Sequence, residues 1–116
     1  MSGRPIGARA PVLNPRRAYP EKAEERAAHK LADALGFEVY RLSQSRASRQ
    51  SPGWPDLLLV CPAKGLAVWY EAKSATGKQS PAQRAFQAKV TACGHEYVVG
   101  THHALVDWCR ARGLIR

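Results

Sequence analysis

From Glu21 to Leu35 the apolar residues Ala27, Ala28, Leu31, Ala34 and Leu35 recur at helical spacing, and Gly36 follows where such a helix would stop. Pro20 suits the first turn of that helix. Phe37 to Leu42 alternates apolar and polar and predicts a strand. Residues 43–54 are Ser, Arg, Gln, Pro and Gly for the most part, and predict a loop. Asp56 to Cys61 and Leu66 to Ala72 are two apolar runs separated by the turn signal Pro62-Ala63-Lys64-Gly65, so they predict a hairpin. A polar loop over 74–79 contains Gly77. Ser80-Pro81 then offers an N-cap and a first helical residue. Ala82, Phe86, Lys89 and Val90 mark the period of a second helix that Gly94 ends. Glu96 to Val99 predicts a last strand and Ala104 to Arg112 a closing helix. The predicted order is α-β-β-β-α-β-α, without internal repeats.

A chain of 116 residues is one domain with room for a real core. Charge changes the picture more than length does. There are 18 Lys+Arg against 9 Asp+Glu, a net +9. Residues 1–19 hold Arg4, Arg9, Arg16 and Arg17 with Pro5, Pro11 and Pro15 and no acid. They have no helical or strand period and read as a disordered basic arm, leaving residues 20–116 as the folded domain. The excess of base continues beyond the arm. A basic globular domain favours a polyanion such as nucleic acid; the plainer alternative is a merely soluble cationic surface.

Three cysteines, Cys61, Cys93 and Cys109, are an odd number without a CxxC pair. They argue against a disulfide framework and for a reducing, intracellular compartment. Cys93, His95, His102, His103 and Cys109 follow no trusted zinc spacing and read as a buried thiol and surface histidines. No apolar run approaches the ~20 residues of a membrane span.

The chemistry concentrates between Gly53 and Lys73. Asp56 opens one predicted strand and Glu71 closes the next, so an antiparallel hairpin returns both carboxylates to one end. Glu71 and Lys73 are two apart and point to one face. Each has an ordinary reading alone: Pro55-Asp56 as a turn, Glu71 and Lys73 as an exposed cross-strand pair. Together they gather two carboxylates and an amine, and like-charged carboxylates are costly to bury unless a cation joins them. Oxygen ligands for a hard divalent ion, with a lysine beside the scissile phosphate, are what a metal-dependent nuclease requires.

Asp56…Glu71-Ala72-Lys73 resembles the PD-(D/E)XK nuclease signature, including Pro55. Gly53-Trp54-Pro55-Asp56 and Gly77-Lys78-Gln79-Ser80-Pro81-Ala82-Gln83 further resemble the small stand-alone VRR-NUC nucleases of that superfamily, over about residues 21–105. The resemblance implies an α/β, restriction-endonuclease-like core with a mixed central sheet. It implies that Asp56 and Glu71 hold Mg²⁺ or Mn²⁺ with the main-chain carbonyl of Ala72, and that Lys73 positions or deprotonates the attacking water. It also implies a glutamate on the first helix. Glu24 is preferred, because it lies three, four, seven and eleven residues before Ala27, Ala28, Leu31 and Leu35 and prolongs their stripe. Glu21 sits off the edge of that stripe and Glu25 points further toward solvent; both remain alternatives, as does ordinary acidic decoration of a helix start.

Gln83, by resemblance, faces the active site and contacts phosphate or orients Lys73. Arg46, Arg49, Lys78, Ser80 and Arg84 complete the candidate DNA-contacting set. Trp54 reads either as a stacking platform for an unpaired base or as packing under its loop. The function implied is a metal-dependent endodeoxyribonuclease acting on branched DNA, Holliday junctions above all, as a homodimer whose two sites suit two strands. The alternatives are a nick-, end- or flap-processing nuclease and a non-catalytic basic DNA-binding module. The location implied is cytoplasmic, at the nucleoid, and the size is compatible with a phage origin.

Overall fold

The computed structural model describes residues 19–42 and 53–116. Seven elements follow in the order read from the sequence. They are α1 (Glu21–Ala34), β1 (Glu38–Arg41), β2 (Leu57–Cys61), β3 (Leu66–Ala72), α2 (Pro81–Ala92), β4 (Glu96–Gly100) and α3 (His102–Ala111). The four strands form one mixed sheet in the order β1-β2-β3-β4. The first three are antiparallel, with Leu57 opposite Tyr70, and β4 runs parallel to β3 with Trp69 opposite Tyr97. A parallel pair cannot be closed by a tight turn, and α2 supplies the crossover. The β2–β3 connection is a single 3-10 turn, Pro62–Lys64, ended by Gly65 at φ +66°.

Period-2 alternation divides the sheet into two faces. Leu57, Leu59, Val68, Tyr70, Ala72 and Val98 point to one side. There Ala28 and Ala32 of α1, Leu105 and Cys109 of α3, and Phe37 close over them. Burial of these side chains is the main stabilising term, of the order of 1.5–3 kcal/mol for each large apolar residue. On the other side α2 packs Phe86 edge-on against Trp69, with ring centroids 5.4 Å apart, and against Tyr97. Asp56 and Glu71 belong to this second face, at the end where β2 begins and β3 stops.

Three local expectations are corrected. The buried row of α1 is Glu24, Ala28 and Ala32, with Glu25 beside it, while Ala34 is exposed. Alanines carry too little apolar area to mark a helix face, so the phase they suggested was rotated. Glu25 is 5% exposed and not solvent-facing, because Arg41 of β1 lies over it with Nε 3.8 Å from Oε2. In α2 the inward positions are Ala82, Gln83, Phe86, Gln87 and Val90, and Lys89 is exposed. The helix α3 also begins two residues earlier than the apolar pattern suggested, at His102, for a reason found on α1 and given below.

Candidate active site at one end of the sheet

The β2–β3 hairpin brings Asp56, Glu71 and Lys73 together. Beyond Leu57 the strand pairing runs on through Asp56, whose N–H donates to the Tyr70 carbonyl at 3.1 Å. Its side chain then does the work of a strand carbonyl: Oδ2 accepts the Ala72 N–H at 2.7 Å. That bond holds the carboxylate against the main chain of the Glu71-Ala72-Lys73 segment. The main chain of Lys73 is held in turn by its N–H donating to the Gly100 carbonyl of β4 at 3.0 Å.

Glu71 is fully buried. Its Oε1 accepts from the Tyr97 hydroxyl at 2.8 Å and from the Gln79 side chain at 3.2 Å. Its Oε2 is buried with no hydrogen-bond partner. The Lys73 ammonium stands 3.4 Å from that oxygen, an ion-pair distance without a hydrogen bond. An unsatisfied carboxylate oxygen in the interior is costly, and a cation is the natural remedy. This orphaned oxygen, with Asp56 at the same strand end, fits a hard divalent ion, which takes carboxylate and carbonyl oxygens and leaves positions for water and phosphate. Among the described residues no cluster of three or more His, Cys, Asp or Glu is set to hold a metal.

Lys73 is buried and its ammonium donates to the Gln83 side-chain oxygen at 2.9 Å. Glu21 lies 3.9 Å away on the other side. The same Gln83 oxygen accepts the Ser80 N–H at 2.8 Å, while the Ser80 hydroxyl accepts the Gln83 N–H at 3.1 Å. This reciprocal capping box starts α2 and ties the helix start to the lysine through one atom.

Burial first, then the hydrogen bond to Glu71 and the charges of Glu71 and Asp56, push the Tyr97 phenol well above its usual range, so it remains a donor. Tyr70 is raised likewise, by burial first and then by the charges of Glu24, Asp56 and Glu25; its hydroxyl donates to the Gly100 carbonyl at 2.8 Å. The charges of three acids thus reach one buried hydroxyl.

Of the first-helix acids, Glu24 reaches α3. Its Oε1 accepts the His102 N–H at 2.8 Å and lies 2.7 Å from His102 Nδ1. Thr101, the N-cap residue, makes no side-chain cap, so a carboxylate from another helix satisfies the start of α3 and complements its dipole. Glu25 is engaged by Arg41 and by Lys22, the latter at 3.9 Å. Lys78 is exposed, and Arg84 donates to the Gln79 carbonyl at 2.9 Å beside the start of α2. Arg46 and Arg49 lie outside the described residues. Trp54 is 41% exposed beside the buried Pro55.

Two residues of this network were not singled out by the sequence: Tyr97 and Gln79, both on Glu71. Gln79 lies in the stretch that resembles the family, but no local pattern announces its partner. Tyr97 is an ordinary strand aromatic until the parallel pairing sets it 26 residues back along the chain against Glu71.

A solved structure titled as a VRR_NUC domain superposes on this chain with a TM-score of 0.63 and 27% identity, covering 78% of this chain and 94% of that one. The chain shares the fold of that VRR_NUC domain. No family model and no curated protein matches it. The VRR-NUC fold is that of the PD-(D/E)XK nucleases, and the hairpin end described above is where this chain sets the Asp…Glu-x-Lys residues of that signature. No helix among the described residues is long and apolar enough to cross a membrane.

Proposed function

We propose that this chain is a nuclease of the VRR-NUC type, a Mg²⁺- or Mn²⁺-dependent DNA endonuclease that selects branched DNA, with the four-way junction as its preferred form, and that it works as a homodimer on intracellular DNA. The observation that carries the metal-dependent reading is Glu71 Oε2: fully buried, without a donor, 3.4 Å from Lys73 and at the strand end shared with Asp56. A binding module gains nothing from a buried carboxylate with an oxygen that accepts no hydrogen bond.

Asp56, Glu71 and the Ala72 carbonyl hold the ion, which when bound supplies Lewis-acid neutralisation of the charge that grows on the scissile phosphate. Lys73 faces the attacking water and the phosphate, aimed by the Gln83 oxygen. On α1 the acid assigned to the same centre is Glu24; Glu25 and Glu21 are the alternatives, Glu21 standing 3.9 Å from the Lys73 ammonium. Lys78, Ser80, Arg84 and the start of α2 receive backbone phosphate, as helix N-termini do, with Arg46 and Arg49 joining from the β1–β2 connection.

The test is cleavage of supercoiled, linear, flap and four-way DNA with Mg²⁺, with Mn²⁺ and with chelator. Metal-dependent cutting concentrated on the four-way substrate is expected; cutting that survives chelation would end the metal reading, and equal cutting of all forms would end the junction reading. Lys73→Ala should lower the single-turnover rate far more than DNA affinity, because its contribution is made to the transition state. Equal losses in both would reduce Lys73 to a phosphate contact.

The basic arm of residues 1–19 is assigned to flanking duplex. Deleting residues 2–19 should weaken DNA binding and flatten its log–log salt dependence by up to about four, roughly one for each arginine–phosphate contact. Cleavage at saturating protein should persist. An unchanged salt slope accompanied by loss of dimer in sedimentation would assign the arm to the partner subunit instead.

A further inference from the structure

A carboxylate with no exposure has two oxygens that the protein must treat separately, and Glu71 shows how. Both donors to Oε1 are themselves held. Tyr97 is fixed by its place on β4 and by its ring against Phe86, at 6.4 Å between centroids. Gln79 is tethered through its amide nitrogen to Gln87 of α2 at 2.9 Å as well as to Glu71. Two donors fill the lone pairs of Oε1, and none reaches Oε2. Rotation of the carboxyl group, which would exchange the two oxygens, breaks both bonds to Oε1.

We infer that Tyr97 and Gln79 are positioning residues that divide the labour of Glu71, committing Oε1 to the protein and reserving Oε2 for the cation. The inference rests on the reading of Glu71 as a metal ligand. The general ground is that partners behind a ligating group fix its orientation and its basicity, and their loss typically weakens metal affinity about 10–100-fold. The arrangement also explains why a polar residue sits at position 97 on the sheet face covered by α2: a phenylalanine would pack against Phe86 equally well but would leave Oε1 short of a donor.

Tyr97→Phe keeps the ring and removes only the hydroxyl; Gln79→Met keeps the length and removes the amide. Mn²⁺ titration by calorimetry on each metal-free, DNA-free variant, alongside its thermal melt, separates the roles. The expected result is Mn²⁺ affinity weakened about 10–100-fold in Tyr97→Phe, with a smaller loss in the same direction in Gln79→Met, at a temperature where both are folded. A purely structural role would lower the melting temperature and leave the affinity unchanged. Unchanged or tighter Mn²⁺ binding in Tyr97→Phe, or in Gln79→Met should the first variant not fold, overturns the inference. Glu71→Gln serves as the reference. If it binds Mn²⁺ as the wild-type chain does, or if the wild-type chain shows no saturable binding at millimolar metal, the reading of the metal site fails instead.

Discussion

Asp56→Ala and Glu71→Ala will each abolish cleavage while leaving DNA binding intact or tighter. The two carboxylates are the only acidic side chains that the β2–β3 hairpin itself brings to its open end, and they differ in what secures them. Asp56 is held by the Ala72 N–H, Glu71 by Tyr97 and Gln79. Neither set of contacts substitutes for the other, so on the proposed reading loss of either carboxylate removes a ligand that the other cannot replace. The expected cost is several orders of magnitude in rate, each tenfold being about 1.4 kcal/mol of barrier. Affinity should move the other way, because a negative charge facing phosphate has been removed. Glu71→Ala also frees Lys73 from its nearest acid and should add to DNA binding more than Asp56→Ala does. Single-turnover rates and DNA titrations on both purified variants check this, and near-normal cleavage by either would falsify the nuclease site.

Gly53→Ala should also lower the cleavage rate, although Gly53 bears no chemistry. Its φ is +99°, and a Cβ there would meet the Ala82 carbonyl oxygen at 2.4 Å, its carbon at 2.6 Å and the Gln83 nitrogen at 3.1 Å. These are main-chain atoms of the first turn of α2 and cannot turn aside. The loop leading into Asp56 therefore lies backbone against backbone on the helix start that also carries Gln83 and, through it, Lys73. The left-handed conformation alone costs about 1–2 kcal/mol for a residue with a Cβ. The clash must then push apart the two segments that carry the site, and displacements near 1 Å cost on the order of 100-fold in rate. A melting temperature lower by several degrees and cleavage reduced about 100-fold are expected. Gly94→Ala is the control: its φ is +88° but nothing lies within 4 Å of a built Cβ, so it should lose some stability and keep its cleavage rate. Wild-type behaviour of Gly53→Ala would show that the contact with α2 does not place Asp56.

What the linear sequence determined about this chain is what neighbours along it decide. The hairpin turn at Pro62–Gly65, the alternation that sends Glu71 and Lys73 to one side, and the return of Asp56 to the same end follow from period and turn chemistry alone. The start of α2 was equally legible, since Ser80, Pro81 and Gln83 form a box closed by bonds three residues apart. The phase of α1 was not, because a helix whose inner face is mostly alanine leaves that face undefined until α3 and β1 are packed on it. Only then does Glu24 turn to the N-terminus of α3 and Glu25 come under Arg41. The pairing of Tyr97 with Glu71, and hence which oxygen of Glu71 stays without a hydrogen bond, was decided at the same level. It depends on the parallel register of β3 and β4, whose partners come from opposite ends of a crossover helix, and no local periodicity carries that register.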